Sequence, residues 1–147
     1  MPNCKTTNLK ESETLVDSFK KRILIVDDVE LACRVLSAQL SSTGFTHVSY
    51  EADSRKVIEQ IDEYQPDLIL LDIFMPHLSG LELLETIRSN PQWDNVIVLM
   101  LSSAGTEEQY RSMELGAFGF IQKPVTAVNL VQTITKKFNL AHRLGIS

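Results

Sequence analysis

Five polar residues of this 147-residue chain each stand directly behind an apolar run of strand length: Asp27, Asp28, Asp72, Ser102 and Lys123. Carboxylates that lie close together repel one another unless a cation lies between them, and hard oxygen ligands with room for water suit Mg²⁺. Lys123 can neutralise an incoming anion, while the Ser102 hydroxyl and nearby backbone amides can bond to its oxygens. A carboxylate beside a metal and a lysine can act as a nucleophile toward phosphorus.

Each of these residues also has an ordinary structural interpretation when it is taken alone. An aspartate behind a strand is usually a turn residue or helix cap, and a serine there is most often a helix N-cap. A Lys-Pro step such as Lys123-Pro124 is common in loops. Four strand ends that carry such residues at one edge favour the interpretation as a site.

The elements that must position these residues follow from the hydrophobic periodicity. The pattern predicts strands over 23–26, 48–52, 67–72, 96–101 and 118–122, and helices over 31–44, 54–64, 79–89, 106–115 and from 126 onward. Alternation of five strands with five helices is typical of an α/β, doubly wound five-stranded parallel sheet, with right-handed crossovers and ligands at the carboxyl ends of the strands. Two helices are expected to bury the apolar residues that recur at helical spacing: Leu31, Val35, Leu36 and Leu40 in the first, and Val128, Val131 and Ile134 in the last.

The chain divides by pattern into one domain with two extensions. Residues 1–21 are polar with a weak apolar cluster, and we expect a mobile leader there; periodic sequence fills 22–138, and 139–147 is expected to be a tail. From the sequence as given, we expect no output domain after residue 147.

Composition excludes several classes of function. A net charge of −5 argues against direct nucleic-acid binding, because phosphate backbones attract clustered lysine and arginine. No run approaches the length of a membrane helix, and the N-terminus has no apolar signal region, so no membrane partner is expected. Cys4 and Cys33 form no C-x-x-C pair, which fits a reducing, cytoplasmic location.

Four segments together resemble the response-regulator receiver family of two-component signalling: ILIVDD, LILLDIFMPHLSGLELL, VLMLSSAG and FIQKP. The resemblance covers about residues 22 to 138. It implies a flavodoxin-like strand order 2-1-3-4-5, a domain that accepts a phosphoryl group with Mg²⁺ as cofactor, and no enzymatic activity beyond its own phosphorylation and dephosphorylation.

The resemblance also assigns roles at the acceptor and metal positions. Asp72 would be phosphorylated. Asp28, Asp72 and the backbone carbonyl of Phe74 would bind Mg²⁺, and Asp27 would help through water. Phe74 departs from the family pattern, because receivers often have at this position a polar residue that orients attacking water.

The remaining roles concern phosphoryl binding and switching. Lys123, Ser102 and the backbone of Ser103 would hold the phosphoryl oxygens, although Ser103 stands where alanine or glycine is usual. Ser102 would move to the phosphoryl group and Phe120 would swing inward with it. Pro124 is a candidate for a cis peptide bond.

The partners implied are a histidine kinase or histidine phosphotransfer protein as donor and a separate output protein. The output protein would bind the face formed by helix four, strand five and helix five, where Ala117 and Phe118 would make the edge apolar. Residues 116–120 lack the paired acidic residues of the transcription-factor subfamily, which argues against that subfamily's dimer.

Two enzyme-like or cofactor-binding alternatives share parts of this pattern. A phosphatase of the haloacid-dehalogenase type needs its nucleophile after strand one with a second aspartate two residues later, and Asp27-Asp28-Val29 does not provide it. A flavin-binding domain of the same topology needs serine, threonine and glycine at that point. His77 is interpreted as a solvated loop residue, Cys33 as a half-buried small hydrophobe and Trp93 as a packed lid.

Overall fold

The structure is a computed structural model, and it describes residues 17–103 and 105–146. Strands β1 to β5 and helices α1 to α5 alternate along the chain: β1 (Arg22–Val26), α1 (Glu30–Thr43), β2 (His47–Glu51), α2 (Val57–Tyr64), β3 (Leu68–Asp72), α3 (Gly80–Arg88), β4 (Ile97–Ser102), α4 (Thr106–Glu114), β5 (Gly119–Gln122) and α5 (Ala127–Arg143). Single 3₁₀ turns precede α2 (Ser54–Lys56) and β4 (Pro91–Trp93), and residues 17–19 add a helical segment before β1.

The five strands form one parallel sheet of order β2-β1-β3-β4-β5. The predicted fold class and strand order are therefore confirmed. β3 and β4 are buried along their whole length, because helices cover both faces of a parallel sheet. Alternate residues of these strands enter two separate cores: Leu68 and Leu70 pack on the side of α1 and α5, whereas Ile69 and Leu71 pack on the side of α2 and α3.

The buried face of α1 differs from the predicted one. Leu36 and Leu40 are buried as expected, together with Cys33, which is fully buried rather than half-buried. Leu31 and Val35 are 70% and 48% exposed. Cys33, Leu36 and Leu40 recur at the same helical spacing, so a second stripe satisfies the pattern and meets the sheet instead.

The buried face of α5 also differs from the predicted one. Val128 is 68% exposed, while Leu130, Ile134 and Phe138 form the buried stripe of α5.

β5 begins at Gly119, one residue later than predicted. Trp93 is 8% exposed and packs into the core beside α2 and α3, in agreement with its interpretation as a lid.

Residues just outside both predicted domain boundaries pack against the domain. Residues 1–16 are outside the described part of the chain, but 17–21 pack against the domain: the rings of Phe19 and Phe45 meet edge to face at 4.9 Å, and the Phe19 carbonyl accepts a bond from the Thr46 amide. At the other end α5 continues past residue 138, Ala141 is buried, and Ile146 packs on the core. Apolar partners distant in sequence hold both segments in place.

Candidate functional site

The register of the sheet brings the predicted acidic residues together at its carboxyl edge. Val26 of β1 lies opposite Leu71 of β3, so Asp27 and Asp72 are the next residues of adjacent strands. Both carboxylates are withdrawn from solvent, at 1% and 7% exposure, whereas Asp28 is exposed. The first carboxylate is fixed locally, since an Asp27 oxygen accepts a bond from the Val29 amide at 3.0 Å.

Lys123 reaches this edge from the end of β5. The Ser102 carbonyl accepts a 2.9 Å bond from the Lys123 amide and thereby ties the ends of β4 and β5 together. The Lys123 ammonium group lies 3.1 Å from a carboxylate oxygen of Asp27 and 3.1 Å from one of Asp72. One partly exposed cation thus faces two buried carboxylates.

The three carboxylates form the one group of potential metal ligands within the part of the chain that the structure describes. Asp27, Asp28 and Asp72 each offer an oxygen, and these oxygens lie within 4.8 Å of one another. Lys123 supplies a single positive charge against three negative ones, so the cluster has an excess of negative charge. An all-oxygen set of this charge fits a hard divalent cation such as Mg²⁺.

Burial and the neighbouring charges together set the pKa of Asp72. The pKa of Asp72 is raised to about 6: burial is the largest cause, Lys123 acts to lower the pKa, and the charges of Asp27 and Asp28 add to the rise. Burial acts to lower the pKa of Lys123. The hydrogen bonds that its ammonium group donates to Asp27 and Asp72, together with the charges of these two aspartates, outweigh the burial, so the pKa is raised. Lys123 therefore remains a cation, and Asp72 is the group whose ionisation depends on its surroundings.

Close backbone packing holds the loop behind Asp72. The Gly80 amide donates to the Ile73 carbonyl at 2.7 Å, and a Cβ at Gly80 would overlap the Asp72 carbonyl oxygen. Only glycine permits this approach. The Ser79 hydroxyl caps α3 by accepting a bond from the Glu82 amide, so the helix starts directly beside the strand end.

The other predicted site residues take different positions around this cluster. Ser102 ends β4 and is 1% exposed, whereas Ser103 is exposed. Phe74 is 58% exposed and Phe120 is 41% exposed. The Lys123-Pro124 peptide bond is cis, in agreement with the candidate named from the sequence.

An apolar groove beside the cluster was missed by the sequence analysis. The exposed side chains of Val29, Leu31 and Val35 line it from the α1 side, and Pro124 and Val125 line it from the loop after β5. Asp27 and Lys123 also line the groove, so it opens directly onto the acidic cluster. The sequence signal was present as a second apolar stripe on α1, but the periodicity assigned it to the core.

The predicted apolar edge at Ala117 and Phe118 is wrong in its residues. Ala117 is 7% exposed, and Phe118 is half-buried with the Lys137 ammonium 5.7 Å from its ring centre. The large apolar side chains that α4 and β5 expose are instead Tyr110, Met113 and Phe120. Residues 117 and 118 start the return into the sheet, since the Phe118 amide donates to the Val98 carbonyl.

Comparison with known proteins agrees with this fold. Residues 23–135 match the family model of the response regulator receiver domain, so the chain belongs to that family. It is 30% identical over 129 residues to a protein-glutamate methylesterase/protein-glutamine glutaminase of Syntrophomonas wolfei, which covers 87% of this chain and 36% of that protein. It is 35% identical over 115 residues to the phosphate regulon transcriptional regulatory protein PhoB of Klebsiella pneumoniae, covering 78% and 50%. The chain thus spans half or less of the length of these two relatives.

Solved structures give the same result. Chemotaxis protein CheY4 of Vibrio cholerae superposes with a TM-score of 0.74 at 26% identity, over 80% of this chain and 98% of that one. A CheY-like receiver domain protein of Methanospirillum hungatei superposes with a TM-score of 0.76 at 29% identity, over 84% and 98%. Among the helices in the described residues, none combines the length and apolar character that crossing a membrane requires.

Proposed function

We propose that the chain is a phosphoryl-accepting signalling switch of a two-component system, with Asp72 as the acceptor. The observation that supports this most strongly is the contact of one lysine ammonium with two buried carboxylates, 3.1 Å from each, in a cluster with excess negative charge. A permanent ion-pair network would balance its charges. An unbalanced one is suited to a cation and an incoming phosphoryl group.

In the proposed reaction a carboxylate oxygen of Asp72 attacks the phosphorus of a phosphohistidine. A P–O bond forms to Asp72, the P–N bond breaks, and the imidazole leaves. Lys123 already lies within hydrogen-bond distance of the Asp72 carboxylate, so it is placed to neutralise an oxygen of the transferred group. The Ser102 hydroxyl and the Ser103 amide are proposed to bond the other oxygens.

Mg²⁺ is the proposed cofactor. Asp27, Asp28, Asp72 and the Phe74 carbonyl would hold it, and when bound it would offset the charge of the phosphoryl oxygens. The protein's own contribution is to keep two of these carboxylates out of water, where they accept few competing hydrogen bonds from solvent.

The donor proposed is a histidine kinase or a histidine phosphotransfer protein, and we propose that it docks in the groove along α1. The groove is apolar and ends at Lys123, so a helix lying in it would reach the acceptor. This transfer would take place in the cytoplasm, where Cys33, a free buried thiol, would stay reduced.

The output is proposed to pass through the face of α4, β5 and α5 to a separate protein. A shift of Ser102 and Phe120 on phosphorylation would alter this face, and a partner that binds the two forms unequally would read it. Exposed Tyr110, Met113 and Phe120 offer that partner apolar contacts.

The acceptor assignment is tested with a small phosphodonor and Mg²⁺. Mass spectrometry of the intact protein is expected to show one added phosphoryl group in the wild type and none in Asp72→Asn. Addition to Asp72→Asn at the wild-type stoichiometry would overturn the assignment. Chelation of Mg²⁺ and Asp28→Ala should both reduce the uptake.

The groove is tested with a phosphorylated kinase that labels the wild-type protein. Leu31→Ser should slow transfer from the kinase about tenfold or more, while uptake from the small phosphodonor stays unchanged. Leu144→Ser is the matched control, because Leu144 is similarly exposed, at 61%, but lies just beyond the C-terminal end of α5. Equal transfer rates for both variants would contradict the docking site.

A further inference from the structure

The side chain of Arg88, at the end of α3, lies under the turn that connects α4 to β5. Its guanidinium donates three hydrogen bonds to backbone carbonyls: to Gly116 at 2.9 Å, Trp93 at 3.1 Å and Val96 at 2.7 Å. One side chain thereby joins α3, the segment before β4 and the α4–β5 turn. In the described residues no carboxylate lies within ion-pair distance of Arg88.

Gly116 allows this contact in two ways. Its φ of +104° is open to glycine at little cost, and a Cβ there would lie 3.0 Å from Cγ of Arg88 and 3.2 Å from Cδ. The arginine stem therefore occupies the space that any other side chain at 116 would need. The contact between the turn and Arg88 therefore requires glycine at position 116.

The turn is also fixed by its own backbone bonds. The Ala117 amide donates to the Ser112 carbonyl at 2.9 Å, and the Phe118 amide donates to the Val98 carbonyl at 2.8 Å. The opposite end of the same face, at the carboxyl edge of the sheet, holds Ser102, which pairs with Gln122. The exposed ring of Phe120 lies between the two ends, at the position of β5 that pairs with Met100. The two ends of the α4–β5 unit thus differ: one is tied to α3, and the other adjoins the acidic cluster.

We propose that Arg88 is a positioning residue that anchors the α4–β5 turn, so that the switch at Asp72 moves only the end of α4 and β5 nearest the carboxyl edge. This rests on the proposed function for its trigger, but not for the anchor itself. A fixed turn makes α4 and β5 pivot about residues 115–118. Without these hydrogen bonds, the structural change caused at Asp72 would extend into the turn and alter the output face less selectively.

Amide hydrogen exchange of the full chain tests the anchor, first without phosphate. In Arg88→Met the amides of residues 115–118 should exchange on the order of tenfold faster than in the wild type, because the bonds that hold the turn are lost. Arg143→Met removes an exposed arginine at the end of α5 and should leave these amides unchanged. Wild-type exchange of 115–118 in Arg88→Met would overturn the anchor.

The second measurement uses the small phosphodonor with Mg²⁺ and does not depend on the variant folding. In the wild type, phosphorylation should change exchange in residues 120–122 and leave 115–118 within about twofold. Equal changes in both segments would overturn the pivot. A wild type that takes up no phosphate, seen separately by intact mass, would refute the proposed trigger, and the first comparison would still decide the anchor.

Discussion

Two aspartates at opposite ends of β3 show how one residue type serves two purposes. Asp67, at the amino end, accepts a 2.8 Å bond from the Arg22 amide through its side chain, and its own amide donates to the Arg22 carbonyl. Asp72, at the carboxyl end, faces two other carboxylates and one lysine. Backbone groups of Arg22 thus provide the hydrogen-bond partners of Asp67. Asp72 is held beside like charges, where burial raises its pKa to about 6.

The amino edge of the sheet is built for stability, whereas the carboxyl edge holds groups that lower it. The amino edge closes with paired backbone groups and apolar contacts such as Phe19 against Phe45. The carboxyl edge keeps a charge cluster and a tight loop that only particular residues allow. Matched substitutions at the two ends of β3 are therefore expected to have opposite effects on stability.

The largest effect is expected from Gly80→Ala, at the carboxyl edge. The new Cβ would overlap the Asp72 carbonyl oxygen, so the loop and Asp72 must shift apart, at a cost of about 3 kcal/mol or more in the free energy of unfolding. Gly105→Ala is the control, since a Cβ there meets no atom within 4 Å. Urea unfolding measures both variants, and similar small losses would show that the close approach is unimportant.

The next effect is a gain in stability. Without Mg²⁺ and at neutral pH, Asp72→Asn should raise the free energy of unfolding by about 1 to 3 kcal/mol, because the variant no longer buries an ionised carboxylate. Asp67→Asn makes the same change at the other end of β3 and should lower stability by up to about 1 kcal/mol, because its bond to the Arg22 amide weakens.

The pH dependence gives the sign of this effect. A folded pKa of about 6 against an ordinary value of 3.8 means that the folded protein binds the Asp72 proton more tightly than the unfolded chain. The wild type therefore loses stability as pH rises between these two values, and Asp72→Asn lacks that loss. The difference in free energy of unfolding between Asp72→Asn and the wild type should therefore grow across this pH range and level off above it. An advantage that is constant with pH would contradict the burial of an ionisable Asp72.

A smaller effect concerns the lifetime of the phosphorylated protein. Phe74 is an exposed aromatic ring two residues after Asp72. It cannot orient an attacking water by hydrogen bonding, and we expect it to shield the phosphorylated carboxylate from water. Phe74→Asn should speed the loss of phosphate several-fold, about 1 kcal/mol in barrier height, whereas Phe74→Leu should stay near the wild type. Phosphate release after removal of the donor measures this. An equal or slower loss in Phe74→Asn would exclude the shielding role.

The smallest effect compares two residues in the left-handed region of backbone conformation, one near each edge. His77, in the loop after Asp72, has a φ of 70°, and Gln65, at the end of α2, has a φ of 53°. Replacing either with glycine should stabilise the protein by about 0.5 to 1 kcal/mol, because glycine adopts this conformation without strain. Glu59→Gly, inside α2, is the control and should destabilise it by about 1 kcal/mol. If glycine at 65 or 77 lowered stability as much as glycine at 59 does, the backbone at 65 or 77 would not be strained.

The local sequence pattern was sufficient to predict the strands and the polar residues that follow them. Asp27, Asp72, Ser102 and Lys123 could be placed from sequence because a parallel sheet brings every strand's carboxyl end to one edge. The face of α1 could not be assigned in the same way. Leu31 and Val35 repeat at helical spacing as well as Cys33 and Leu36 do, and only packing against the sheet decides between the two stripes.

Contacts that are distant in sequence account for the remaining differences. Phe19 resembles an isolated apolar residue in a polar leader until Phe45 is brought beside it. Arg88 resembles an ordinary basic residue in the last turn of a helix, and its three carbonyl partners come from segments that only the fold assembles. The roles of Phe74, Ser103 and Phe120 remain predictions, because they depend on a phosphorylated form.

The most direct test of the central claim is to locate the phosphoryl group chemically. Reduction of an aspartyl phosphate with borohydride converts its acyl carbon to an alcohol and releases phosphate, leaving homoserine. After treatment with a small phosphodonor and Mg²⁺, reduction and peptide mass spectrometry should place homoserine at position 72 alone. Homoserine at position 27 or 28, or a phosphate that survives reduction on another residue, would contradict the assignment of Asp72 as the acceptor.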